Sequence, residues 1–266
     1  MDRQEYFEDA GFLSRAAWRD RHNIRAGNRE WFQLAFDLNS ILMKIISAAM
    51  RSNPGFNWDV QAVASRLLMR TAVSFQAVIK LSELGMLSPA RTLVRTIVED
   101  SFCAAKLDKN PGDIIEKLIK ESNFVRKKQA DFILNRSLFE NHDGIAEFKE
   151  AVSKMQKEKK IDWKAEAING ELWRQYLNYM RLSDDSVHTS ALSLDRHLSR
   201  NDEGTCWSLK FQKGDDDEIT ATLHRAVLAT VPIGIVVTNV LEDVQNNGSL
   251  RALCDRFQKL PDGRNI

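Results

Sequence analysis

The side chains with the most chemical potential lie in one stretch, Tyr176 to Ser190, which reads YLNYMRLSDDSVHTS. Arg181 and His188 are seven residues apart. On a continuous α-helix that spacing superimposes them to within about 20°. Asp184 sits between them, three residues after Arg181 and four before His188, and Asp185 flanks the same face. An imidazole titrates near neutrality and can both take and give a proton. A carboxylate beside it raises its pKa and orients the ring. A guanidinium stabilises charge building on a phosphoryl group. The expected chemistry is metal-free cleavage of a phosphodiester by a neighbouring 2′-hydroxyl. His188 would be the general acid and base, Arg181 the clamp and Asp184 the orienting group. The run Ser183-Asp184-Asp185-Ser186 also reads as a helix break with an aspartate cap, which makes His188 a semi-buried structural residue. Both readings stand on the sequence.

A second constellation is Arg91, Arg95 and Glu99, spaced i, i+4, i+8. At roughly 100° per residue they form one slowly drifting stripe. Leu93, Val94, Ile97, Val98 and Phe102 fill the adjacent arc, so the charges stand at the margin of a buried face. A lone charge there is costly, so partners are expected. The stripe is either an inter-helix ion pair or a polar pocket with arginine as an anion clamp. The other histidines carry less: His22 and His142 read as loop residues, and His197 and His224 lack a second ligand nearby.

These residues need long helices to position them, and the punctuation provides for that. Only five prolines and twelve glycines interrupt 266 residues. Apolar residues recur at three-four spacing from Trp31 to Ala49, a first helix ended by Asn53-Pro54-Gly55. A second helix runs from about Trp58 to Leu84, and Gly85 suits the left-handed position after it. Ser88-Pro89 reads as cap and first turn of a third helix, to about Leu107. The second and third helices should therefore form an antiparallel hairpin. Asp113 is expected to cap a fourth helix to Asn135. Glu147 to Lys164 reads as one solvated amphipathic helix, Leu172 to Leu182 as another, and Val187 to Leu198 as a further apolar series. Cys206 to Gln212 alternates like a short strand. Glu218 to Val244 should be a helix bent near Pro232, with Asn246-Asn247-Gly248-Ser249 capping a last helix from Leu250 to Leu260. The expected fold is all-α: a single-domain antiparallel bundle of about seven to eight helices, with one short strand or hairpin near 206–220. Residues 1–28 read as an N-terminal arm, basic from about Ser14. Residues 29–260 make the bundle, and 261–266 a frayed end.

Composition excludes more than it assigns. Lys and Arg total 38 against 37 Asp and Glu, so the net charge of +1 gives no global pull toward nucleic acid or membrane. Cys103, Cys206 and Cys254 are far apart, without zinc spacing, which fits buried free thiols in a reducing cytoplasm. The opening residues have no apolar leader. The longest uncharged stretch, Ala226 to Leu241, is shorter than the ~20 residues a spanning helix needs. A cytoplasmic protein without a membrane partner is expected. P-loop, Rossmann, HExxH, CxxC and GxSxG signatures are absent, and neither metal nor cofactor is expected.

Two resemblances add to this reading. The segments Leu81 to Gly85, Ala90-Arg91-Thr92-Leu93-Val94-Arg95 through Glu99, then Tyr179, Leu182-Ser183 and Val187-His188-Thr189-Ser190 resemble an all-helical bacterial family of unknown function. The likeness runs from about Arg66 to Leu198. It adds Tyr179 and Ser183 to Arg91, Arg95 and Glu99 as a polar, anion-binding set. Arg181 and His188 also resemble, more weakly, the Arg–His pair of the HEPN superfamily, although Leu182 stands where a polar residue is usual. That likeness implies a homodimer with RNA as substrate, in a toxin or antiphage setting. Two functions follow as expectations. One is a non-catalytic helical interaction or sensing module with a protein or small-anion partner. The other is a metal-independent endoribonuclease.

Overall fold

The computed structural model describes residues 5–51, 55–136, 138, 142–168, 172–201 and 203–260. The expected frayed end, 261–266, and residues Asn53 and Pro54 lie outside them. The described chain holds twelve α-helical segments and one two-stranded sheet. The all-α expectation is met, with more helices than seven or eight.

Four long helices enclose the core: α3 (Arg29–Arg51), α4 (Val60–Glu83), α5 (Leu87–Lys109) and α11 (Asp216–Val240). α11 is the central one, packing on α3, α4 and α5 and on α12 (Val244–Phe257). Its sequence explains this. Ile219, Leu223, Val227, Ile233 and Val237 are buried, and Ala226, Ala229 and Gly234 between them let neighbours approach closely. A Cβ at Gly234 would meet Leu250 of α12 at 3.0 Å. α3, α4 and α11 are long and apolar enough to cross a membrane by length and composition. Here 44%, 56% and 61% of their apolar windows are buried by packing within the bundle.

The turn joining α4 and α5 forms as its glycine dictates. Gly85 has φ +72°, and the N–H of Met86 returns to the carbonyl of Leu81 at 2.9 Å. Helix starts among the described residues carry side-chain caps: Ser14, Asp59, Asn110, Ser190, Asp215 and Asp243 accept from Ala17, Ala62, Asp113, Ser193, Glu218 and Asn246. Two expected caps move. α6 (Pro111–Asn135) is capped by Asn110 rather than Asp113, because Pro111 already occupies the first helical position. α5 starts after Met86, which places Ser88 inside it without a capping role.

The remaining differences lie in the short elements. The stretch expected as a basic arm is helical: α1 (Phe7–Ala10), a 3₁₀ turn and α2 (Arg15–Gly27). Phe7 and Phe12 pack on Phe211 at 5.8 and 5.6 Å between ring centroids. Asn28 donates to Asp216 at 2.6 Å and accepts from Thr220 at 2.8 Å, tying the arm to the start of α11. The Lys- and Glu-rich stretch divides into α7 (Ile145–Ser153) and α8 (Trp163–Ile168). α9 (Trp173–Leu182) is followed by a π-helical turn, Ser183–Val187, then α10 (Ala191–Asp195). β1 (Leu198–Arg200) pairs antiparallel with β2 (Trp207–Leu209), Leu198 opposite Leu209 and Arg200 opposite Trp207. α11 stops at Val240, and Asp243 caps an α12 that runs straight through Asn246 to Ser249.

Candidate functional site

The two polar constellations meet where α5 packs on α9 and its π-turn. Hydroxyls shape that turn. Ser183 donates to the carbonyl of Tyr179 at 2.8 Å, Ser186 to that of Leu182 at 2.7 Å, and Ser190 to that of Asp184 at 2.7 Å. Such back-bonding competes with the helical ladder and loosens it. The N–H of His188 then reaches the carbonyl of Ser183 at 3.1 Å, an i to i+5 bond, and His188 leaves in extended conformation.

One face of this segment is locked to α5. Arg95 donates through Nε to Ser183 Oγ at 2.7 Å and through Nη2 to the Tyr179 hydroxyl, with its guanidinium 4.3 Å from the centre of that ring. Tyr179 Oη donates to Glu99 Oε1 at 2.9 Å, and Arg95 pairs with Glu99 at 3.4 Å. Burial, and then the Glu99 carboxylate, push the Tyr179 phenol up to about 12, so it stays a neutral donor. Thr92 donates to the carbonyl of Ser186 at 3.0 Å.

Arg91 begins a closed ring of four charges. Its Nη1 reaches Asp185 at 2.9 Å and its Nη2 reaches Glu218 at 3.3 Å. Arg196 completes the ring, pairing with Asp185 and with Glu218 at 2.9 Å each. Arg91 Nε donates to Thr222 at 3.2 Å. The ring ties α5, the π-turn, the end of α10 and α11 together, and the Arg91 side chain is only 5% exposed. Breaking such a pair strands a carboxylate at a cost of about 3–5 kcal/mol. A cavity of about 740 Å³ opens above the ring, toward Gly85, Phe12 and Phe211.

Thus Arg91, Arg95, Glu99, Tyr179 and Ser183 are brought together. Arg181, Asp184 and His188 are all exposed to solvent. Among the described residues no hydrogen bond or ion pair joins those three to one another or to α5. The π-turn between Arg181 and His188 gives the segment a wider pitch than the continuous α-helix that the heptad spacing assumes. Sequence reasoning missed Arg196, Glu218, Thr222 and Arg225. Glu218, Thr222 and Arg225 sit at i, i+4 and i+7 on an otherwise apolar helix, a readable stripe. Arg196 gave no such signal.

Arg225 is the unbalanced member. It is half-buried on the face of α11 that carries Glu218 and Thr222, and makes no hydrogen bond or ion pair among the described residues. Burial lowers its pKa below the usual range; the charge of Arg91, and less so that of Arg181, adds to this, while Asp185 opposes it. Chemically, the ring itself sums to zero, and Arg225 with Arg181 leaves two cations beside it.

The comparisons agree with the first resemblance. A family model described as "Family of unknown function (DUF5677)" matches residues 61–205, which include the whole α5–α9 seam. No support appears for the HEPN likeness. Neither a curated protein nor a solved structure matches the chain.

Proposed function

The chain belongs to the DUF5677 family of unknown function, and we propose that it is a non-catalytic helical sensing module of the bacterial cytoplasm that binds a small anion beside the four-charge ring. One observation carries this reading: Arg225 is half-buried without an ion pair among the described residues, within electrostatic reach of Arg91, Asp185 and Arg181. An anion held by Arg181 and Arg225 would supply the missing charge through charge-assisted hydrogen bonds. Because the ring joins α5, α10 and α11, an anion there acts on the packing of three elements at once, which is what a sensor requires.

The test is thermal unfolding with inorganic phosphate, pyrophosphate and nucleoside monophosphates. A bound anion at ten times its Kd stabilises by about 1.4 kcal/mol, a midpoint rise of roughly 3–5 °C for a chain of this size. Arg225→Gln and Arg181→Gln should abolish the rise without lowering the midpoint of the free protein. No rise with any of the anions, or an equal rise in both variants, refutes the reading. The ribonuclease alternative keeps one supporting fact: Arg181, Asp184 and His188 are all exposed to solvent. Labelled RNA cleaved by the parent and spared by His188→Ala would favour it instead.

A further inference from the structure

A second cavity, of about 520 Å³, lies on the far side of α5. Arg91 and Asp100 are nine residues apart, so at 3.6 residues per turn they leave α5 on opposite faces. α4, α5, α6 and α8 all contribute to its lining. Its volume falls within the range of small-molecule sites, about 300–1,000 Å³. Trp58, Leu67, Leu118 and Trp163 give it aromatic and apolar walls.

Its charged groups are sorted by depth. Asp100 is 1% exposed, the Glu99 side chain 21%, and Glu121 is half-buried. Arg66, Arg70 and Lys160 are all exposed and make the rim. Several of these are already committed. Arg70 pairs with Asp100, whose other oxygen accepts from Thr71 at 3.0 Å. Arg66 donates to the carbonyls of Ala62 and Asn57 and lies over Trp58, 4.9 Å from its ring centre. Glu99 is held by Tyr179. Glu121 and Lys160 make no hydrogen bond or ion pair among the described residues. One free carboxylate therefore stands inside and one free ammonium outside.

We propose that this cavity binds a small zwitterion of the amino-acid type, its ammonium directed to Glu121, its carboxylate to Lys160, and its side chain to Trp58 and Trp163. A simple cation would pass a rim of three positive groups and leave Lys160 unpaired. A simple anion would face three carboxylates on the floor. A ligand with both charges satisfies both ends, and aromatic walls favour an ammonium beside them.

The test is calorimetric titration of the full chain with L-phenylalanine, L-leucine and L-glutamine in turn. Two single-charge probes, 2-phenylethylamine and 3-phenylpropionate, accompany them. At least one amino acid should bind, with each single-charge probe weaker by about tenfold or more, the factor carried by one such interaction. Glu121→Gln should weaken the amino acid by a similar factor and leave 3-phenylpropionate unchanged. Lys160→Gln should leave 2-phenylethylamine unchanged. Absence of binding by all three amino acids at millimolar concentration overturns the proposal. So does unchanged affinity in Glu121→Gln, which alters a half-buried group and leaves the core intact.

Discussion

At the scale of the residue, the sequence showed which side chains were charged but not what faced them. Arg91, Arg95 and Glu99 were legible as a stripe at a core margin because helical periodicity alone places them there. The partners of Arg91, Asp185 and Glu218, lie 94 and 127 residues away, and no local pattern reports such a distance. Asp100 shows the same limit. In sequence it is one acid after Glu99; in the fold it is 1% exposed, with its carboxyl raised from 3.8 to about 6 by burial. The sign of the consequence is fixed. A carboxyl whose folded pKa exceeds its unfolded one binds more protons when folded, so stability is full below the unfolded value and is lost as pH rises toward the folded one. The parent should therefore lose about 2–3 kcal/mol between pH 4 and pH 7 relative to Asp100→Asn, which cannot titrate. Urea unfolding of both proteins across that interval measures it. Parallel pH profiles would show that Asp100 ionises in the fold as it does in the unfolded chain.

At the scale of the element, long helices were legible and short ones were not. α3, α4, α5, α6 and α11 announce themselves through three-four spacing, glycine and proline. The π-turn does not, because it depends on which carbonyl each serine hydroxyl takes. That one choice replaces the α-helical register between Arg181 and His188 with a π-helical one. The α4–α5 turn is the opposite case, where a single residue type was enough. Gly85 adopts φ +72°, and a Cβ there would stand 2.8 Å from the Lys213 Cβ. Gly85→Ala should cost roughly 1–3 kcal/mol for the left-handed backbone alone, and more from the clash. Gly112→Ala, with nothing within 4 Å of its added carbon, is the control and should be near neutral or slightly stabilising. Equal unfolding midpoints for the two variants would remove the turn's special status.

At the scale of the whole molecule, one surface is out of keeping with the rest. Trp207 is 68% exposed and Leu209 78%, on a hairpin whose two strands each have an unpaired edge among the described residues. Period-two alternation made this stripe visible in the sequence as one face of a short strand or hairpin. The structure leaves that face open, with Leu209 beside Leu198 and Trp207 beside Arg200. An isolated two-stranded hairpin is marginal in water, and open edges invite pairing. The arrangement that satisfies the β2 edge and covers the apolar row with the same residues twice is antiparallel pairing with a second copy about a two-fold axis. A homodimer through β2 is accordingly the assembly proposed for this chain. Sedimentation velocity should find a dimer for the parent, and a monomer of unchanged helix content for Trp207→Ser combined with Leu209→Ser. Far-ultraviolet circular dichroism checks the second half, since the bundle core does not include this hairpin. A parent that stays monomeric at micromolar concentration would instead assign the stripe to a different protein. The four-charge ring lies close by, because Arg196 directly precedes the β1 hairpin arm. A dimer formed on the hairpin would therefore load the segment that the proposed anion site also holds, and anion and dimer should strengthen each other by the same factor. Dimer dissociation constants measured with and without pyrophosphate decide that coupling, and identical values would show two independent surfaces.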